Sequence, residues 1–144
     1  MGIIKLPSIS NFSDFDPLEN EKSIFIEWIK ESQNMSKYDF IILPGSKQTI
    51  KDQIFLEKSG LSQDIKEYSR NKGHIIGICG GLQMLGTLLE DPFLKEGAKT
   101  YSENKIKGIG LLPLKTTFFE KKLTRQISSE SLWPCHSKIN GFEI

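Results

Sequence analysis

The stretch Gly73-His74-Ile75-Ile76-Gly77-Ile78-Cys79-Gly80-Gly81-Leu82-Gln83-Met84-Leu85-Gly86 places the tightest limit on what this chain can fold into. An apolar run from Ile75 ends at a cysteine with glycines close on both sides, and helical patterning starts at once. This is the sequence form of a nucleophile elbow, a sharp strand-to-helix turn that holds a reactive side chain above the edge of a sheet. Gly77, Gly80 and Gly81 need a geometric reason to stand there, because a glycine costs roughly 1 kcal/mol against alanine in a helix. A turn with no room for Cβ atoms supplies that reason. A lone cysteine at a strand end is ordinarily a small buried hydrophobe. The glycines set Cys79 apart from that case.

An elbow of this kind needs a parallel sheet around it, and the chain alternates accordingly. Ile3-Ile4-Lys5-Leu6, closed by Pro7, suits a first strand. The loop from Ser8 to Leu18 is rich in turn formers and carries Phe12 and Phe15, so it reads as a surface connection with its aromatics tucked in. From Glu19 to about Gln33, the residues Ile24, Phe25, Trp28 and Ile29 fall at helical spacing and predict a helix laid on the sheet. Tyr38 to Leu43 is a second strand, broken by Pro44-Gly45-Ser46-Lys47 before a helix carrying Ile50, Ile54, Phe55 and Lys58 on one face, with Gly60 as its C-cap.

Leu61, Ile65 and Tyr68 mark a further helix, Ile75 to Cys79 a third strand, and Leu82, Leu85, Leu88 and Leu89 a helix stopped by Asp91-Pro92. Three such alternations predict an α/β domain with a mostly parallel sheet and helices on both faces, three layers in all. The last third differs. Ile109 to Pro113, Thr116 to Phe119 and Ile139 to Ile144 are strand-like with no helix between them, a β extension, while Ser128 to Ser137, including Trp133-Pro134, has no assignable element.

Charge narrows the function classes. Nineteen Lys and Arg stand against 18 Asp and Glu, so no net field points to nucleic acid or an anionic membrane. No apolar run approaches the roughly 20 residues that cross a bilayer, and Met1 to Lys5 has no signal-peptide layout; a cytoplasmic protein is expected. Cys79 and Cys135 need no disulfide in such a compartment, and with His74 and His136 they form no metal-ligand spacing.

The chemistry follows from position. A cysteine at the first turn of a helix lies at the positive end of the helix dipole, and the thiolate is the nucleophile. Attack on a carbonyl develops an oxyanion, for which donors are expected from the backbone N–H of Gly80 and from the Gly45-Ser46 loop. The two loops can converge because ligands of open α/β sheets bind beyond the carboxyl ends of the strands.

Gly77-Ile78-Cys79-Gly80-Gly81-Leu82-Gln83-Met84-Leu85-Gly86 resembles the nucleophile motif of the triad-type glutamine amidotransferases, in the branch of cobyric acid synthase and cobyrinate diamide synthase. Leu43 to Ile50 and Ile9 to Leu18 are similar to narrower signatures of the cobyric acid synthase family, and Gly108-Ile109-Gly110-Leu111-Leu112 and Gly141-Phe142-Glu143-Ile144 fit it in order. The resemblance implies a flavodoxin-like sheet and one amidotransferase domain over residues 1–144. It further implies that Cys79 attacks the side-chain amide of glutamine, that Gly45, Ser46 and Gly80 hold the oxyanion, and that Gln83 lies close to the glutamine. The ammonia would serve a ligase reaction, the ATP-dependent amidation of corrin carboxylates in cobalamin biosynthesis. ATP and magnesium belong to a synthetase partner domain, and no cofactor is expected in this one.

Two departures accompany the resemblance. No Gly-x-x-x-x-Gly-Lys-Ser/Thr stretch occurs, so the N-terminal ATP-binding domain is expected to be absent. The family's general-base histidine lies downstream of the motif matched by Gly141 to Ile144, so the domain is expected to be incomplete at its C-terminus and weakly active. His74 begins the strand that Cys79 ends, roughly 16 Å away at ~3.3 Å per residue, and nothing in the sequence places His136. Two other readings stand beside this one: a free-standing glutaminase subunit of the same branch serving cell-wall amidation, and a non-catalytic docking domain.

Overall fold

The computed structural model describes residues 1–96, 104–121, 124–132 and 135–143. In chain order its elements are β1 (Gly2–Ile4), α1 (Asp16–Glu19), β2 (Glu27–Ile29), β3 (Phe40–Leu43), α2 (Thr49–Ser59), α3 (Leu61–Arg70), β4 (His74–Gly77), α4 (Gly80–Leu85), β5 (Leu88–Glu90), β6 (Lys105–Lys107), β7 (Lys115–Thr117), β8 (Arg125–Ser131) and β9 (Ser137–Glu143). A 3-10 turn, Phe12–Phe15, precedes α1.

Four strands form a parallel sheet in the order β2-β1-β3-β4, flanked by helices as the alternation predicts. Side chains alternate faces along a strand. Ile4, Ile41 and Leu43 thus join Ile50 and Leu56 of α2 and Leu61, Ile65 and Tyr68 of α3 in the main core, while Ile3 and Ile42 meet Phe15 and Leu18 on the other side. That second layer is thin. Ile76, in register with Ile42, stays 45% exposed because the segment around α1 does not reach β4.

The helix expected over Glu19 to Gln33 does not form. Of that stretch only Glu19, the last residue of α1, is helical, and Trp28 and Ile29 lie on β2, paired with Ile3 and Ile4. Tertiary contact overrides the 3.6-residue spacing: as an edge strand the segment buries Ile29 completely and sets Trp28 against two aromatics, parallel to Phe12 at 4.5 Å and edge-on to Phe15 at 5.4 Å. Phe15 is buried as expected of the loop aromatics, whereas Phe12 remains 45% exposed.

The helix after Cys79 also stops early. Gly86 is extended, and Leu88 and Leu89 sit on β5. The cause is the segment expected as a strand at Ile109 to Pro113, which instead returns as irregular chain and occupies the carbonyls at the end of α4: Ile109 N–H donates to Met84 at 2.8 Å, Leu111 and Leu112 to Leu85, and Gly110 to Gly86. β5 then pairs antiparallel with β6 and parallel with β7, which realises the strand expected near Thr116. Ser128 to Ser137, unassignable from sequence, belongs to a hairpin in which β8 and β9 pair antiparallel from Arg125↔Glu143 to Ser131↔Ser137. Trp133, Pro134 and Ile144 lie outside the described residues.

Candidate active site

Cys79 ends the β4 segment with φ 50° and ψ −113°, a backbone region that a non-glycine residue rarely adopts and that costs on the order of 1–3 kcal/mol. Three hydrogen bonds hold it there. Ile78 N–H donates to Leu43 O at 3.0 Å, Gly81 N–H to Ile78 O at 2.8 Å, and Gln83 N–H to Cys79 O at 3.1 Å. The glycines are explained by what surrounds them: a Cβ at Gly77 would lie 2.7 Å from the backbone of Leu82, and one at Gly81 would run into the carbonyls of Leu43 and Pro44. The elbow predicted from sequence is present, and Cys79 is exposed with a free thiol.

The Pro44-Gly45-Ser46 loop lies directly against it. A Cβ at Gly80 would come within 3.0 Å of Ser46 N, and one at Gly45 within 3.8 Å of Cys79 Cβ. The N–H groups of Gly45, Ser46 and Gly80 donate to no described residue. The first N–H groups of a helix have no partner within it. Here two of the three come from a different loop, so donors from two strand ends stand beside one exposed sulfur.

The loop is fixed from behind. Ser10 N–H donates to Gly45 O at 2.9 Å and Lys47 N–H to Ser8 O at 2.8 Å. Asp52, only 1% exposed, accepts from Ser46 Oγ at 2.6 Å and from Ser8 N–H at 3.2 Å, and Ser46 Oγ accepts in turn from Gln48 N–H at 3.0 Å. Burial pushes the Asp52 carboxyl above the ordinary range, and the hydrogen bonds from Ser46 and Ser8 partly oppose it. Sequence reasoning missed Asp52. The available signal was an acidic residue in the first turns of a core-facing helix, six positions after a loop serine.

Gln83 follows Cys79 by four residues, so the two share one side of the elbow and α4, and Gln83 is half-buried. The histidines are elsewhere. His74 opens β4 at the opposite end from Cys79, and His136 stands in the β8–β9 connection with Nδ1 3.6 Å from Glu130. Cys135 is also exposed, its sulfur 3.4 Å from Ser137 Oγ. Among the described residues no group of three or more His, Cys, Asp or Glu is placed to hold a metal ion, and no helix is long and apolar enough to cross a membrane. What the arrangement can do is add sulfur to a carbonyl and hold the resulting oxyanion with preorganised N–H donors.

The CobB/CobQ-like glutamine amidotransferase domain matches residues 1–144. The cobyric acid synthases of Prochlorococcus marinus strains MIT 9312 and AS9601 are each 87% identical over all 144 residues, and that of strain NATL2A is 51% identical. The chain spans 28% of the length of the first two relatives and 29% of the third.

Proposed function

The chain belongs to the family of CobB/CobQ-like glutamine amidotransferase domains, and from that premise we propose that Cys79 is the nucleophile that releases ammonia from glutamine. The sulfur adds to the amide carbon, the carbonyl electrons move to oxygen, and the N–H groups of Gly45, Ser46 and Gly80 receive the negative charge. Collapse breaks the C–N bond, the nitrogen leaves as ammonia after taking a proton, and a γ-glutamyl thioester remains for water to hydrolyse to glutamate. Gln83, four residues beyond the nucleophile, would contact the rest of the glutamine. The observation that carries this reading is the positive-φ Cys79 set beside three N–H groups that donate to no described residue.

At the level of the whole protein, the proposed role is the ammonia supply of a cobyric acid synthase, a cytoplasmic ligase. The relatives' name, cobyric acid synthase, and their 87% identity support the synthase part of this reading. ATP and magnesium would act in a synthetase domain that activates corrin carboxylates, and the ammonia would attack them there. The 144 residues by themselves should turn glutamine over poorly, because His74 sits at the far end of β4 and His136 in the hairpin, leaving Cys79 without a positioned histidine base among the described residues. Glutamate release at a substantial rate that survives His136→Ala would sink that expectation. Nucleophilicity is tested separately by mass spectrometry after brief exposure to a glutamine-like chloroketone: the adduct should appear on Cys79 before Cys135, and the reverse order refutes the assignment.

A further inference from the structure

We propose that Asp52 is a positioning residue: from the buried side of α2 it staples the Ser46 loop to the Ser8 loop and so aims the N–H groups of Gly45 and Ser46 at the oxygen that develops on attack by Cys79. Asp52 has this role only if Cys79 is the nucleophile proposed above.

The geometry is one of complete engagement on one side and none on the other. The carbonyl of Gly45 and the N–H of Lys47 are bound by Ser10 and Ser8, and Ile9 and Ser46 form an antiparallel bridge. The Ser46 hydroxyl donates to Asp52 and accepts from Gln48 N–H, while the second carboxylate oxygen accepts from Ser8 N–H. Every one of these bonds lies behind the loop. The two N–H groups left over, of Gly45 and Ser46, belong to the residues that touch Cys79 and Gly80. A buried carboxylate is a costly way to tie two loops together, and packing alone has no need of it. A carboxylate does one thing that an amide cannot: it accepts from both the Ser46 hydroxyl and Ser8 N–H at once. With Asn in its place, the amide nitrogen would face the hydroxyl as a second donor beside Gln48 N–H, and the serine proton would lose its partner.

The test compares two electrophiles on the same thiol. A chloroketone analogue of glutamine draws the sulfur to its carbonyl carbon, so negative charge forms on oxygen among the loop donors; sulfur then shifts to the adjacent methylene carbon as chloride leaves, the carbonyl re-forms, and a stable thioether remains. Iodoacetamide forms its C–S bond by displacing iodide and develops no oxyanion. In Asp52→Asn the maximal rate of Cys79 labelling by the chloroketone should fall by roughly tenfold or more, on the scale by which loss of oxyanion donors slows catalysis. The iodoacetamide rate should hold, as should the chloroketone concentration at half-maximal rate. Equal losses with both reagents, or no loss with either, overturn the role. If Asp52→Asn does not fold, as read by its thermal transition, Ser46→Ala supplies the same comparison, since it removes the clamp's hydroxyl and keeps the loop backbone. If the wild-type protein shows no preference of the chloroketone for Cys79 over Cys135, the nucleophile reading itself has failed and Asp52 falls with it. Selective wild-type labelling with an unaffected Asp52→Asn overturns the role of Asp52 alone.

Discussion

The pairing of β3 with β4 and the pairing of β8 with β9 are built on opposite terms. β3 and β4 share four register pairs, run parallel, and come together across a long excursion through α2 and α3; Ile41 and Leu43 of β3 are wholly buried, while Ile76 of β4 stays 45% exposed on the thin side of the sheet. β8 and β9 share seven register pairs, are joined by a short connection, and leave Ile127, Ile139 and Phe142 40%, 52% and 68% exposed. The longer ladder is the less supported one, since a two-stranded hairpin is marginal by itself and gains stability from apolar surface packed on it. The proposed chemistry sits at the end of the shorter ladder. A strained cysteine persists only where the surroundings over-determine it, and a ladder closed by distant packing provides that where a local hairpin does not.

The comparison is open to direct challenge, the sharpest being removal of the core beneath each ladder. Ile41→Ala should lower unfolding free energy by about 2–5 kcal/mol, as expected for a fully buried aliphatic side chain. Gly81→Ala comes next: its methyl would press on the carbonyls of Leu43 and Pro44, a close approach that costs about 1–3 kcal/mol and displaces the elbow, so slower Cys79 labelling should accompany the lower urea midpoint.

A smaller effect concerns pH. Because Asp52 has a folded-state pKa above its unfolded value, the folded state binds its proton more tightly. Its contribution to stability is therefore full below the unfolded value and declines as pH rises through the raised one. Wild type should lose stability relative to Asp52→Asn across that window, measured as urea midpoints at a series of pH values, and the difference should be level above it. Smallest of all, Ile139→Ala in the hairpin should change unfolding free energy by less than about 0.5 kcal/mol, as for an exposed position. A loss there as large as that at Ile41 would erase the contrast between the two ladders.

The same contrast explains what could be read in the sequence. The elbow was legible because Gly77, Cys79, Gly80 and Gly81 are local signals of a local conformation, and the α2–α3 pair because Gly60 marks its own left-handed turn at φ 84°. Trp28 and Ile29 misled because their spacing suits a helix while their partners, Phe12, Phe15 and β1, are brought in by tertiary structure. Leu88 and Leu89 misled in the same way, since the segment at Ile109 to Leu112 that ends α4 is more than 20 residues distant in the chain. Asp52 was missed for a further reason: an acid in a first helical turn looks like an ordinary dipole partner until the Ser8 and Ser46 loops are folded onto it.

In the proposed function Cys79 is poised toward a glutamine side chain and is not merely an exposed thiol. The most direct test is the concentration dependence of Cys79 labelling by the glutamine-like chloroketone in the presence of glutamine or glutamate. Labelling of Cys79 should saturate with reagent and be slowed by glutamine far more than by glutamate, while Cys135 responds to neither. Labelling that rises without saturation at both cysteines alike, indifferent to glutamine, would contradict the account.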